Sequence, residues 1–107
     1  MRILTGLILV AGLGATAASA QPGRLTDVAY MQAARCVGLA SSTNLGAGDG
    51  GSMGAWLKTQ ATGREPFVLD KADEMQRKAK READRADQYS KPKLAAELSG
   101  ACTTLKG

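Results

Sequence analysis

The chain of 107 residues contains no histidine. That absence removes the commonest general base, every Ser-His or Cys-His nucleophile, imidazole metal ligands and a histidine pH switch. Aromatic side chains are almost as scarce, since Tyr30, Trp56, Phe67 and Tyr89 are the whole set. Beyond them the large apolar residues are Leu, Val and Met scattered among many Ala. Alanine favours helix but contributes little burial, so strong secondary structure is expected around a thin core. Charge of one sign is not concentrated either. Without Arg2, 13 basic side chains stand against 10 acidic ones, too weak an excess for a nucleic-acid binder.

What is present begins with an export pattern. Met1 to Ala20 carries one cation, Arg2, an apolar run from Ile3 to Leu13, and the small-residue site Ala18-Ser19-Ala20 before Gln21. This organisation predicts a secretory signal peptide over residues 1–20, cleaved after Ala20, with residues 21–107 forming one small domain in the periplasm or outside the cell. The apolar run is too short to span a bilayer. Two cysteines, Cys36 and Cys102, allow one intramolecular pairing, which an oxidising compartment favours. A bridge across 66 residues contributes about 4 kcal/mol in the loop-entropy model, a large share of the stability of so small a domain.

The expected fold is all-α, a small bundle of three or four short helices in antiparallel-type arrangement, with first and last joined by the disulfide. Thr26 or Asp27 caps a first helix running to Ala40, on which Ala29, Gln32, Ala33, Cys36, Leu39 and Ala40 share one face. Residues 41–51 form a Gly/Ser-rich loop. Ser52 caps a second helix carrying Met53, Trp56, Leu57 and Ala61, stopped by Gly63. Phe67-Val68-Leu69 lacks a strand partner, so a packed turn or a first helical turn is expected there. Asp70 to Tyr89 reads as the longest helix, with Ala72, Met75, Ala79, Ala83 and Ala86 in a narrow stripe that would let another helix approach closely. On it Asp73 with Arg77 and Glu74 with Lys78 have favourable i, i+4 spacing. After the break at Ser90-Lys91-Pro92, Leu94, Leu98, Ala101, Cys102 and Leu105 line a final helix.

Motifs for chemistry dissolve in context. Gly46, Gly48 and Gly51 spell G-x-G-x-x-G with Asp70 downstream, but a helix rather than a strand precedes them and the chain is too short for a dinucleotide fold. Ser90-Lys91-Pro92-Lys93 matches S-x-x-K without its companion motifs, and a capping role for Ser90 accounts for it. The carboxylates Asp73 and Glu74 sit beside cations on a charged helix, where solvation and ion pairing are their ordinary role. Once bridged, the cysteines offer no thiolate. No catalytic, cofactor-binding or metal site is therefore expected, and the chain reads as a non-enzyme.

In organisation (exported, small, helical, two cysteines) the chain resembles periplasmic acid-stress chaperones and small envelope inhibitor or immunity proteins. The likeness is one of architecture. The expected function is protein binding in the envelope in an accessory, inhibitor or immunity-type role, through a surface around Trp56, Phe67 and Leu69 or through the last helix. One alternative is a holdase whose acid trigger, in the absence of histidine, comes from carboxylates such as Asp70, Asp73 and Glu74 below about pH 5. Another is a structural envelope component whose helix face of Arg77, Lys78, Arg81 and Arg85 contacts anionic membrane or cell wall weakly. Nucleic acid is not an expected partner.

Overall fold

The computed structural model describes residues 24–46 and 50–106, so the export segment and Ala47-Gly48-Asp49 lie outside the described residues. Among these residues there are five α-helices and no strand: α1 (Asp27–Ala40), α2 (Gly50–Thr59), α3 (Pro66–Asp84), α4 (Lys91–Ser99) and α5 (Ala101–Lys106), with a single 3-10 turn at Thr43–Leu45. The all-α expectation holds. The final helix, expected in one piece, is instead divided at Gly100, where the backbone leaves the helical region with φ −104° and ψ −91°.

α1 is the axle, and every other element packs on it. Thr26 starts it by accepting the Ala29 N–H at 3.1 Å. From Cys36 to Ala40 five consecutive residues are buried, which a helix shows when neighbours surround it on all sides. Small residues make that possible. Ala33, Ala34, Gly38 and Ala40 keep the surrounding helices near. Gln32, expected on the inner face, is exposed, because the buried arc of α1 is centred on Tyr30, Ala33, Ala34 and Val37.

The small-residue stripe of α3 does receive a close neighbour, and that neighbour is α1. Ala72, Ala79 and Ala83 are buried, with Met75 and Ala86 half-buried at its margins. A Cβ added at Gly38 would penetrate the Gln76 carbonyl oxygen and stand 2.9 Å from Ala79 Cβ, so the glycine sets how near the two helices approach. The pair is parallel. Arg64 reaches Asp27 at the start of both helices, whereas Ser42 meets Asp84 at the end of both. This differs from the expected antiparallel arrangement, because α2 serves as a return segment that brings the chain back to its starting end. α4 does run against α1, since Leu94 packs with Leu39 while Glu97 meets Arg35 one turn earlier on α1.

Local chemistry sets the boundaries. α3 begins at Pro66, four residues before the expected start, because proline at the first helical position gives up no needed N–H and arrives with a helical φ. Phe67-Val68-Leu69 thus forms the first turn, with Val68 buried. α3 stops at Asp84, short of Tyr89. The Asn44 amide donates to the Ala83 and Ala86 carbonyls at 2.8 and 3.1 Å, satisfying acceptors that a helix end leaves open. Asp87 then accepts the N–H groups of Tyr89 and Ser90 at 3.0 and 2.9 Å, which closes an Asx-type turn. Ser90 precedes α4 but makes no side-chain cap bond, contrary to the capping role expected of it. α2 begins at Gly50 rather than after Ser52. A Cβ at Gly50 would lie 2.9 Å from Ser41 Cα, and only a residue without one lets the helix start against the end of α1.

Cys36 and Cys102 form the disulfide, with Cα atoms 5.7 Å apart, joining α1 to α5. Both residues are buried within the larger core cluster, with Tyr30, Val37, Met53, Leu57, Val68 and Ala72. A smaller cluster of Leu39, Ala79, Ala83 and Leu94 lies toward the other end.

Candidate functional site

Two helices lean on α1 without closing over it. α2 and α3 both pack on the axle yet scarcely touch each other, and a cleft of about 260 Å³ lies between them. One wall is Gly54, Leu57, Lys58 and Ala61, the other Leu69, Ala72, Asp73 and Gln76, and Tyr30 contributes from α1. Each wall follows the i, i+3, i+4, i+7 spacing of one helical face. Leu57, Ala72 and Tyr30 are buried at the base, Leu69 is half-buried, and Lys58 and Asp73 stand exposed on opposite walls. The arrangement is an apolar floor under a rim bearing Lys58 on one wall and, on the other, Asp73 paired with Arg77.

The floor is held rigidly. The Arg64 guanidinium lies over the Tyr30 ring, 4.4 Å from its centroid, a cation–π contact that fixes the ring plane. Its nitrogens donate to the Gln60 carbonyl at 2.7 Å, the Leu25 carbonyl at 2.7 Å and the Asp27 carboxylate at 2.6 Å. Arg64 therefore ties the α2–α3 connection to the start of α1. Leu25 N–H also donates to the buried Gln60 side chain at 3.0 Å.

A second charged cluster is structural in form. Arg35, on α1, donates through Nε and Nη2 to both oxygens of Glu97 at 2.7 and 3.0 Å, and through Nη1 to Glu82 at 3.1 Å. The bond to Glu97, followed by that to Glu82, outweighs partial burial and raises the Arg35 pKa, holding the guanidinium charged. This forked geometry joins three helices and matches what arginine does best with carboxylates. Asp84 accepts from Lys80 at 2.8 Å and from Ser42 at 2.6 Å, and those two bonds hold its carboxyl below the usual range. Asp87 is lowered by the backbone N–H groups of Ser90 and Tyr89.

The residues singled out from sequence fall in different places. Leu69 lines the cleft. Trp56 is half-buried and packs against the larger core cluster, Phe67 is 69 % exposed, and neither belongs to the cleft lining. Arg77, Lys78, Arg81 and Arg85 are all exposed on or just beyond α3, and Arg77 is paired with Asp73. Glu74 pairs with Lys71 at 3.7 Å rather than with Lys78. Of the nucleotide-like glycines, Gly46 closes the 3-10 turn with φ 69°, Gly51 lies inside α2 and Gly48 is outside the described residues. Among the described residues no group of three or more His, Cys, Asp or Glu is placed to hold a metal ion. The cleft itself escaped sequence reasoning, although the matching four-residue spacings on the two helices were a usable signal. Arg35 and Arg64 left none, because their partners lie tens of residues away.

No protein-family model matches this chain, and neither a curated protein nor a solved structure is significantly similar to it. The functional argument therefore rests on the geometry.

Proposed function

We propose that this is a non-enzymatic binding protein of the cell envelope or the extracellular space, one that receives an apolar side chain of a protein partner in the α2–α3 cleft. The open, apolar-floored cleft carries the reading. Its volume of about 260 Å³ falls under the range of about 300–1,000 Å³ usual for small-molecule and cofactor sites, and a side chain projecting from a partner suits it better. Lys58 at the rim would orient that partner by its charge, since Asp73 opposite is already paired with Arg77. The buried disulfide supports an oxidising compartment, in keeping with the export pattern of residues 1–20.

Blocking the cleft tests this. Gly54 faces open space apart from Val37 Cγ1, 3.9 Å from a built Cβ, so Gly54→Leu should occupy the cleft without disturbing the fold. A partner captured by chemical cross-linking in envelope extracts should be lost with Gly54→Leu and with Leu69→Asp, yet kept with Phe67→Ser. Capture that ignores all three substitutions would refute the cleft as the binding site.

One observation favours a holdase as the second reading. Ser42 donates to Asp84 across the ends of α1 and α3 and the Asp84 carboxyl is held below its usual range, so acid would disturb that tertiary contact, whereas the ion pairs of Asp73 and Glu74 stay within α3, where Asp70 is exposed as well. Client aggregation suppressed at acid but not neutral pH supports it, and suppression at neither pH removes it.

A further inference from the structure

The end of the molecule where α3 finishes and α4 begins carries an asymmetry of charge that composition conceals. Lys78, Arg81, Arg85, Lys91 and Lys93 are all exposed, and among the described residues none of the five makes an ion pair. The acids interspersed with them are turned to internal work. Glu82 accepts from Arg35 at 3.1 Å, Asp84 from Ser42 at 2.6 Å and Lys80 at 2.8 Å, and Asp87 from the backbone of Tyr89 and Ser90. Glu82, Asp84 and Asp87 stay exposed, but Glu82 and Asp84 are paired with Arg35 and Lys80, so the balance of five cations against Asp87 is positive. Among those cations Tyr89 is 74 % exposed, presented by the turn that Asp87 closes.

We infer that this pole, Lys78, Arg81, Arg85, Lys91 and Lys93 around Tyr89, docks on an anionic phospholipid bilayer. Two features favour a bilayer over another polyanion. An aromatic ring with a polar tip suits the boundary between headgroups and acyl chains, where tyrosine concentrates. The cations also stand exposed on the last turns of α3, its cap and the first turn of α4, and each Lys or Arg brought near an anionic leaflet strengthens attachment additively. The pole differs from the α3 face expected from sequence, since Arg77 is neutralised by Asp73 and Arg85, Tyr89, Lys91 and Lys93 all come after α3. It does not rest on the cleft reading.

The test is co-sedimentation of the processed, disulfide-bonded protein with vesicles containing phosphatidylglycerol, set against pure phosphatidylcholine. Binding is expected to the anionic vesicles alone, and to vanish as salt shortens the screening length. The triple substitution Arg81→Gln, Arg85→Gln and Lys91→Gln should weaken it roughly a hundredfold, at about fivefold per cation. A control triple of equal charge, Lys58→Gln, Lys71→Gln and Arg77→Gln, should weaken it less than about fivefold, since it leaves the pole intact. Tyr89→Ala should lower vesicle binding while leaving any binding to duplex DNA unchanged. Equal loss in both triples, equal binding to neutral vesicles, or binding to duplex DNA tighter than to anionic vesicles overturns the proposal.

Discussion

Two helical glycines of the same type should respond to alanine with opposite signs. In a helix interior, alanine in place of glycine ordinarily adds about 1 kcal/mol of stability, because the unfolded chain loses freedom. Gly54 of α2 should show this gain, since a Cβ there meets only Val37 Cγ1 at ordinary van der Waals distance, 3.9 Å. Gly38 of α1 should not. Its Cβ would overlap the Gln76 carbonyl oxygen and press within 2.9 Å of Ala79 Cβ. A backbone carbonyl inside a helix cannot step aside alone, so α1 and α3 must separate and loosen the packing around Ala34, Ala72 and Leu39. Overpacking costs about 1–3 kcal/mol, and a fixed backbone carbonyl in the way puts Gly38 in the upper part of that range, about 2–3 kcal/mol, leaving Gly38→Ala destabilised by about 1–2 kcal/mol net of the helical gain. In a domain of this size that corresponds to a fall in Tm of roughly 4–16 °C, against a rise of roughly 4–8 °C for Gly54→Ala. Thermal and urea unfolding followed by circular dichroism, without reductant, measures both, and an unchanged denaturant slope confirms that the same transition is compared. If Gly38→Ala proves as stable as Gly54→Ala, the close parallel contact between α1 and α3 is refuted.

Replacing both Cys36 and Cys102 with alanine should cost about 4 kcal/mol, read as a lower urea midpoint, and intact mass should show the native protein lighter than its reduced form by two hydrogens; a midpoint that does not move would remove the staple from the account of stability. Acid should also destabilise the fold. The Asp84 and Asp87 carboxyls titrate below their ordinary range in the folded state, so the unfolded chain takes up their protons first. Their contribution is complete above the ordinary carboxylate pKa near 4 and is lost as pH falls through the lower folded values. Tm measured from neutral to acid pH should therefore fall below about pH 4, and Asp84→Asn with Asp87→Asn should flatten that limb. An acid limb that is identical in the double variant would contradict the assignment.

Helical periodicity, turn residues and cysteine arithmetic act over short range or by elimination, and they made much of this protein legible. The helix from Asp27 to Ala40, the small-residue stripe of Ala72, Ala79 and Ala83 and the pairing of Cys36 with Cys102 could all be read from residue spacing. Boundaries were less visible. Pro66 could be read as a break or as a first helical residue, and only the burial of Val68 favours the second. Of the expected partner surface, Leu69 alone reaches the cleft, because Trp56 and Phe67 fall on other sides of α2 and α3.

The amino-acid order by itself determined that the chain is helical and has one possible bridge, since propensity, capping and the count of cysteines are properties of local segments. Tertiary structure alone decided that α1 and α3 run parallel, that Gly38 is the point of their close contact, and that α2 and α3 leave a cleft over Tyr30. Those features depend on which faces meet across tens of residues. Local rules say which residues share a face, but only the packing of the other four helices on α1 selects the face each will meet.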